Sequence, residues 1–317
     1  MFSNLQLIAL TDSVPYAKDG AAHASFFETV YAFRTHDGVA TLGYVQSFVV
    51  DALRDEPDKF AVDDAARTVA FLPSYDTYEK RNKMVANLTQ AWRTAGRFKV
   101  LSGWRNELYR IYYPARQTYL LMERAATPLF GIVSYGVHLV AYVPATESQP
   151  LRLWVPRRSK TKSTYPGMLD NTVAGGIGDP YGVFETLIKE CGEEAGFPEA
   201  LVRAHAQSVG VVSYFYERTA AAGGEAGCLQ PEVQYCYDLA LPADAPSPTP
   251  VDGEVDEFYL LDVDAVKREL AAGSFKPNTA LVTIDFLVRH GYITAESEPD
   301  YIEILARMHR QLEFPLA

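Results

Sequence analysis

The sequence has few cysteines and no long apolar run. Its 317 residues include only three cysteines, whose spacing fits neither a zinc site nor a disulfide framework. One of them, Cys191, falls within a predicted helix and is most simply a small core residue. No stretch is apolar enough over the length of a membrane span, and the first residues lack the basic start of a secretory signal. We therefore expect a reduced, soluble, cytoplasmic protein.

Basic residues are also scarce relative to acidic ones. The 29 lysines and arginines are outnumbered by 40 aspartates and glutamates, which gives a formal net charge of −11 at pH 7. Nucleic acids and anionic membranes are bound through basic surfaces, so the composition argues against both as partners. A phosphorylated small molecule would have to be met by a local basic cluster or by bound cations. The sequence leaves a homodimer open, since two-fold assembly is the commonest kind of oligomer.

The predicted secondary structure changes in character once along the chain. The first part predicts a hairpin over 26–45 and a helix over 77–95. The second part contains five strand-like runs, at 137–143, 151–156, 209–217, 233–241 and 255–261. A further helix is expected to begin at Pro277, because proline favours the first helical position. The pattern predicts α+β layers, with domains at residues 1–125 and 126–317.

The most informative stretch carries three glutamates on one face of a predicted helix. Glu190, Glu193 and Glu194 stand at positions i, i+3 and i+4, within an arc of about 100°. Like charges at this spacing destabilise a helix, whereas Mg²⁺ or Mn²⁺ requires such a cluster of hard oxygen ligands. Gly196 fits the position that follows the last turn of the helix. The competing interpretation is a solvated acidic face, the ordinary explanation of glutamate-rich helices.

These residues resemble the Nudix box, G-x5-E-x7-R-E-U-x-E-E-x-G-U, where U is apolar. The matching positions are Gly175, Glu190, Cys191, Glu193, Glu194, Gly196 and Phe197. Two positions depart from the pattern: Tyr181 stands where the first Glu belongs, and Lys189 stands where Arg belongs. Because Glu185 lies four residues before Lys189, we expect an ion pair between them to replace the missing contact.

The resemblance extends beyond the box to nearly the whole chain. The segments 135–143, 153–177, 231–242, 252–258 and 275–294 are similar to the Nudix subfamily related to fungal thiamine pyrophosphokinase. Residues 20–125, with RNELY at 105–109, resemble the companion domain of unknown function of that subfamily. The resemblance implies an α/β/α sandwich with a smaller N-terminal α+β domain. It also implies hydrolysis of thiamine diphosphate, or of oxothiamine or oxythiamine diphosphate, to the monophosphate and phosphate, which would clear damaged coenzyme.

The same resemblance suggests roles for individual residues. Glu190, Glu193 and Glu194 would hold Mg²⁺, with Mn²⁺ as an alternative, and the carbonyl of Gly175 would be a further ligand. A turn that requires a positive φ is the competing role of Gly175. Glu194 or Glu254 would orient the attacking water or take its proton. A surface charge on a loop is the competing interpretation of Glu254.

The densest basic cluster follows the predicted strand at 151–156. Its members are Arg157, Arg158, Lys160 and Lys162. A forked arginine and flexible lysines suit a diphosphate, so we expect this cluster to bind substrate, although a solvated loop explains at least two members equally well. Tyr165 and Gln234 are weaker candidates for contacts with the substrate ring, for which core packing is the competing role.

Two other functions stay open on the sequence. A Nudix hydrolase that acts on ADP-ribose or a nucleoside diphosphate shares the same box. A diphosphate-binding module without catalysis is suggested by the degenerate box positions Tyr181 and Lys189. Products separate these alternatives, because a nucleotide sugar would release a nucleoside monophosphate and a binding module would release nothing.

Overall fold

The computed structural model describes all 317 residues and has a mixed α+β architecture. The helices are α1 (Asn4–Ala9), α2 (Ala21–Phe27), α3 (Ser47–Arg54), α4 (Tyr78–Thr94), α5 (Thr127–Phe130), α6 (Val183–Ala195), α7 (Glu199–His205), α8 (Val263–Ala272), α9 (Pro277–Arg289) and α10 (Tyr301–Met308). The strands are β1 (Val30–Arg34), β2 (Thr41–Gln46), β3 (Phe60–Asp63), β4 (Thr68–Phe71), β5 (Leu108–Tyr112), β6 (Thr118–Glu123), β7 (Ser134–Val143), β8 (Arg152–Arg158), β9 (Val173–Gly176), β10 (Ala206–Glu217), β11 (Leu229–Ala240) and β12 (Val255–Asp262).

The first part of the chain forms a four-stranded sheet in the order β2-β1-β4-β3. Strands β1 and β2 form the predicted hairpin, and α4 matches the predicted helix, with Thr77 capping its first turn and Gly96 following it at φ 63°. The hairpin is shorter than predicted, because Phe26 and Phe27 end helix α2 and Phe27 packs edge-on against Tyr44. This sheet and α4 enclose the larger aromatic core of the molecule.

The second part contains a six-stranded mixed sheet in the order β10-β11-β7-β8-β12, with β9 paired to β7. Side chains of β7 alternate between its faces, as the two-residue repeat of a strand requires. Leu139 packs with Leu187 of α6, whereas Val140 packs with Val266 of α8 and Ile284 of α9. The sheet therefore lies between two helical layers, and the predicted α/β/α sandwich is confirmed.

The five predicted strands of the second part are all present, and α9 begins at Pro277 as predicted. The division into domains at residue 125 stays a prediction. The structure adds two contacts across that division. Leu7 and Ile8 of α1 pack in the core beneath α9 and α10, and Leu129 and Phe130 of α5 pack in the core of the first sheet.

All three cysteines are buried and unpaired. Cys191 lies on the buried face of α6 and packs in the core, as predicted. No helix combines the length and the apolar character that a membrane crossing requires.

The hairpin of β5 and β6 joins the two parts of the molecule beside the start of α6. The backbone N–H of Asp179 donates to the Leu108 carbonyl at 2.8 Å. The Arg110 Nε donates to the Asp179 carboxylate at 2.7 Å, and its Nη1 donates to the Tyr181 carbonyl at 3.2 Å. The first part of the chain thus holds the segment that leads from β9 into the helix with the three glutamates.

Candidate active site

Helix α6 is fixed by its apolar face. Leu187, Cys191 and Ala195, spaced four residues apart, are almost fully buried against the sheet. The helix ends at Gly196, whose left-handed φ of 66° lets its N–H reach the Cys191 carbonyl, as the sequence predicts. With that face buried, the glutamates lie along the sides of the helix, toward β9 and solvent.

Two of the three glutamates are held by a neighbouring lysine. The Lys189 ammonium lies 2.7 Å from the Glu193 carboxylate and 3.2 Å from that of Glu190. The predicted pair of Lys189 with Glu185 is wrong, because Glu185 pairs at 3.0 Å with Arg203 of the adjacent helix α7. Lys189 therefore neutralises part of the acidic face instead of bracing the first turn.

The third glutamate turns toward β9. One carboxylate oxygen of Glu194 accepts a hydrogen bond from the backbone N–H of Ala174 at 3.0 Å. Burial raises the pKa of Glu194 well above its usual range; the bond from Ala174 opposes this and repulsion by Glu190 adds to it. Burial also raises the pKa of Glu190, against the opposing charge of Lys189. Both shifts reflect carboxylates removed from water without enough positive charge nearby.

The two glycines of β9 permit close approach from both sides. A Cβ atom on Gly175 would lie 2.4 Å from the side chain of Glu190, and one on Gly176 would lie 1.8 Å from the Tyr109 hydroxyl. Gly175 belongs to a strand paired with β7 and is not among the glycines of positive φ. The interpretation of Gly175 as a positive-φ turn is therefore wrong; it is glycine because Glu190 occupies the space of a side chain.

The donor atoms of the acidic face suit a hard cation. Glu190, Glu193 and Glu194 provide carboxylate oxygens, the ligands that Mg²⁺ prefers. No three carboxylate, histidine or cysteine side chains converge into a ready metal site. The reason is local, since Lys189 holds two of these carboxylates and the Ala174 N–H holds the third. These residues fit a magnesium site by chemistry and helical face, and such a site would require Lys189 to release Glu190 and Glu193.

Glu254 is paired rather than free on the surface. Its carboxylate accepts from the Lys162 ammonium and lies 3.8 Å from the Arg105 guanidinium. Burial opposes ionisation of Glu254, but the hydrogen bond and charge of Lys162 outweigh it, so that its pKa is lowered. Glu254 and Lys162 join the strands of the second sheet to Arg105 in the first part of the chain.

A cavity of about 400 Å³ lies beside β9, between the two parts of the chain. Its wall includes Ala174 and Gly175 of β9, so it adjoins the segment that contacts Glu190 and Glu194. Its cationic side chains are Lys99, Arg105, Arg124, Arg218 and Lys276. Three polar atoms of lining residues are buried without a hydrogen-bond partner: Gln234 Oε1, Asn278 Oδ1 and Arg218 Nε. A polar ligand would satisfy such atoms.

The predicted basic cluster does not line this cavity. Arg158 donates to the Asp170 carboxylate at 2.6 Å and to two backbone carbonyls, and Arg157 donates to the Gly167 carbonyl at 2.8 Å. Lys162 is bound to Glu254, and Lys160 is exposed. None of the four residues is therefore placed to bind a diphosphate in this cavity, and the protein itself uses the donors of the two arginines to shape the loop.

The two weaker candidates do reach the cavity. Tyr165 and Gln234 both line it, and Gln234 is almost fully buried. The Gln234 amide donates to the Tyr214 hydroxyl at 3.1 Å and to the Glu232 carboxylate at 2.9 Å. Glu232 also accepts from Tyr214 and Gln230. This lining carboxylate is 7% exposed and bound only by neutral donors.

Sequence reasoning missed Lys276, although the signal was present. Lys276 immediately precedes Pro277 at the start of α9, where free backbone N–H groups and the helix dipole favour an anion. Its ammonium lines the cavity and forms no ion pair. Burial lowers the pKa of Lys276, and the nearby charge of Asp170 only partly offsets this. The helix start was recognised in the sequence, but the lysine beside it was not.

Arg124 was also missed, and no local signal marks it. It follows β6 in the first part of the chain, and only the folded structure brings it to β9.

Comparisons with known proteins agree with this geometry. The family profile described as "Domain of unknown function (DUF4743)" matches residues 26–134. The protein named "Uncharacterized protein YJR142W" of Saccharomyces cerevisiae is 38% identical over 323 residues, which cover 99% of this chain and 92% of that protein. "Nudix hydrolase 24, chloroplastic" of Arabidopsis thaliana is 39% identical over 84% of this chain and 70% of its own length. "Nudix hydrolase 20, chloroplastic" of the same plant is 37% identical, over 85% and 71% respectively.

Proposed function

This chain belongs to the Nudix hydrolase family, and we propose that it cleaves the phosphoanhydride bond of thiamine diphosphate or of its oxidised analogues. Hydrolysis of a phosphoanhydride is the activity that membership of the family establishes. The thiamine compounds are the proposal, with the monophosphate and inorganic phosphate as products.

The charge pattern of the cavity is the observation that carries the proposal. Its wall holds Lys276 beside the start of α9, which suits a diphosphate, and Glu232, a buried carboxylate that forms no salt bridge and accepts only from neutral donors. Thiamine diphosphate carries both complementary groups, an anionic diphosphate and a permanently cationic thiazolium ring. ADP-ribose offers no permanent cation to Glu232. The volume of about 400 Å³ also suits a small ligand, since ligand pockets commonly measure about 300–1,000 Å³.

The acidic helix is assigned the catalytic cation. Glu190, Glu193 and Glu194 would hold Mg²⁺ or Mn²⁺, and the Gly175 carbonyl is assigned as a further ligand. A divalent ion held there supplies charge neutralisation of the diphosphate and Lewis-acid activation of water. Glu194 is assigned to orient the water or to take its proton. Glu254 is the weaker proton acceptor of the two candidates, because Lys162 already neutralises it.

A phosphate-release assay tests the substrate. The panel is thiamine diphosphate, oxothiamine diphosphate, oxythiamine diphosphate, ADP-ribose and a nucleoside diphosphate, with Mg²⁺ in excess at neutral pH. The Glu193→Gln variant tests the acidic face, and Lys160→Gln is the control, because Lys160 is exposed.

We expect turnover of the thiamine compounds, its loss in Glu193→Gln and its retention in Lys160→Gln. Turnover of ADP-ribose alone, detected after a phosphatase is added, would retain the Nudix chemistry and refute the thiamine substrate. Equal rates in Glu193→Gln and the wild type would refute the role of the acidic helix.

A further inference from the structure

We propose that Arg124, a residue of the first part of the chain, completes the active site by binding the diphosphate of the substrate. This inference rests on the proposed function and assigns to the N-terminal part a direct role in substrate binding.

The Arg124 guanidinium has N–H donors that no protein atom accepts. Its guanidinium makes one side-chain hydrogen bond, from Nη1 to the Glu107 carboxylate at 2.9 Å, and its side chain is 42% exposed where it lines the cavity. An arginine has five N–H donors in a rigid fork, and Nε and Nη2 of Arg124 have no partner in the protein. Arg158 differs, because its Nε, Nη1 and Nη2 all donate to protein oxygens.

The position of Arg124 is fixed by its own neighbours. Its backbone N–H donates to the Glu107 carbonyl at 2.8 Å, and its guanidinium lies 5.6 Å from the centre of the Tyr109 ring. The Tyr109 hydroxyl occupies the space over Gly176. A rigid chain of contacts therefore sets the arginine against β9, the strand whose Gly175 touches Glu190.

Arg124 shares the cavity wall with Lys276 and acts electrostatically on the acidic residues nearby. Its positive charge lowers the pKa of Glu190, of Glu254 and of Lys276, so all three groups lie within reach of its field. A cation in that position bridges to a substrate whose phosphates must reach both the acidic helix and Lys276. The fork of an arginine can bind two phosphate oxygens at once, which a lysine cannot.

Most other basic side chains of the second part are already bound by oxygen atoms of the protein, so they are not free to bind a diphosphate. In a chain of net charge −11, the obvious basic loop of the second part is engaged by Asp170, Glu254 and backbone carbonyls. The second part then offers Lys276 and Arg218 to the cavity, and Arg218 is bound to Gln230 and to the carbonyls of its own loop. Arg124, which directly follows β6, brings to the cavity N–H donors that the protein leaves unused.

The test compares two arginine-to-glutamine variants of the full chain. Arg124→Gln removes the proposed phosphate contact. Arg97→Gln makes the same change on the exposed surface of the same part of the molecule, where Arg97 pairs only with Asp55. Inhibition by inorganic pyrophosphate and by unphosphorylated thiamine is measured for each, together with kcat/KM for the diphosphate substrate and the melting temperature. Arg124→Lys is the second variant, because it keeps the charge and the partner Glu107.

We expect Arg124→Gln to weaken inhibition by pyrophosphate and to lower kcat/KM by about 10- to 100-fold, with inhibition by thiamine unchanged. Arg124→Lys should lie between this variant and the wild type, and Arg97→Gln should match the wild type.

Equal loss of affinity for pyrophosphate and thiamine would show a structural role and overturn the inference. An active wild type with unchanged pyrophosphate inhibition in both Arg124 variants would overturn it while leaving the proposed function standing. A wild type that turns over none of the diphosphates would overturn the proposed function and, with it, this inference.

Discussion

Replacing Lys276 by methionine should make the protein more stable and less active. Lys276 is partly buried at the start of α9, its ammonium forms no salt bridge, and burial lowers its pKa. Exchange of a buried ionic group for an apolar side chain of similar volume often stabilises a protein by about 1–4 kcal/mol. We expect only the bottom of that range, about 1 kcal/mol, because Asp170 and Glu232 favour the charged lysine and the lysine in turn lowers the pKa of Asp170. Loss of a charged hydrogen bond to phosphate should lower kcat/KM by about 10- to 100-fold.

The stability gain should depend on pH with a defined sign. The pKa of Lys276 is lower in the folded state than its ordinary value of 10.5, so the unfolded chain binds more protons in the interval between the two. Unfolding of the wild type therefore becomes less favourable as pH rises through the folded-state pKa toward 10.5. The methionine variant lacks this effect, so its advantage is full at neutral pH and shrinks as pH approaches 10.5.

Calorimetric melting at several pH values and steady-state kinetics test both statements on one preparation. Lys160→Met is the matched control, because Lys160 is exposed and lies outside the cavity wall. A Lys276→Met variant that melts below the wild type would refute the claim that this charge lowers stability. Unchanged kcat/KM would refute its role at the diphosphate.

Four further substitutions test other parts of the structure. Gly175→Ala should abolish most metal-dependent turnover, because the added Cβ would lie 2.4 Å from the Glu190 side chain. Gly192→Ala is the contrast: its Cβ meets nothing within 4 Å, and it should stabilise α6 by about 1 kcal/mol. Activity and melting temperature of the two variants test this difference. Arg158→Gln should lower the free energy of unfolding by about 3 kcal/mol, because it removes the salt bridge to the buried Asp170 carboxylate. The KM of the folded enzyme should not change. An increase in KM without a loss of stability in urea would contradict this. Glu232→Gln should lower kcat/KM for thiamine diphosphate about 10-fold relative to oxothiamine diphosphate, whose oxidised ring is uncharged; an unchanged ratio would remove Glu232 from ring recognition.

Much of the second sheet and its helices could be predicted because their signals are local. The apolar spacing of α6, the left-handed Gly196 after it and the proline at the start of α9 are all properties of neighbouring residues. The alternation of β7 side chains between the two faces of the sheet likewise depends on the sequence of that strand alone. Such features do not depend on which distant segments meet.

The cavity could not be predicted in the same way, because its wall is assembled from distant segments. Arg124 and Lys276 are 152 positions apart in the numbering, and nothing in either neighbourhood indicates that they share a space. The prediction for the basic loop failed in the opposite way, because it assigned binding to residues that are not available for it. Arg157 and Arg158 look available in the sequence, but their donors are satisfied by carbonyls and by Asp170, which only the folded loop brings near.

The lysine within the acidic helix bears on how the protein behaves during purification. Repulsion between like charges one turn apart opposes a helix by about 0.2–0.5 kcal/mol per pair, and a Lys–Glu pair returns a similar amount. Lys189 is therefore a built-in counter-ion for Glu190 and Glu193. Chelation should yield a dormant but intact protein, with an unchanged far-ultraviolet circular dichroism spectrum, that regains turnover when Mg²⁺ is returned. The metal would then be an exchangeable cofactor that the enzyme needs for turnover but not for folding.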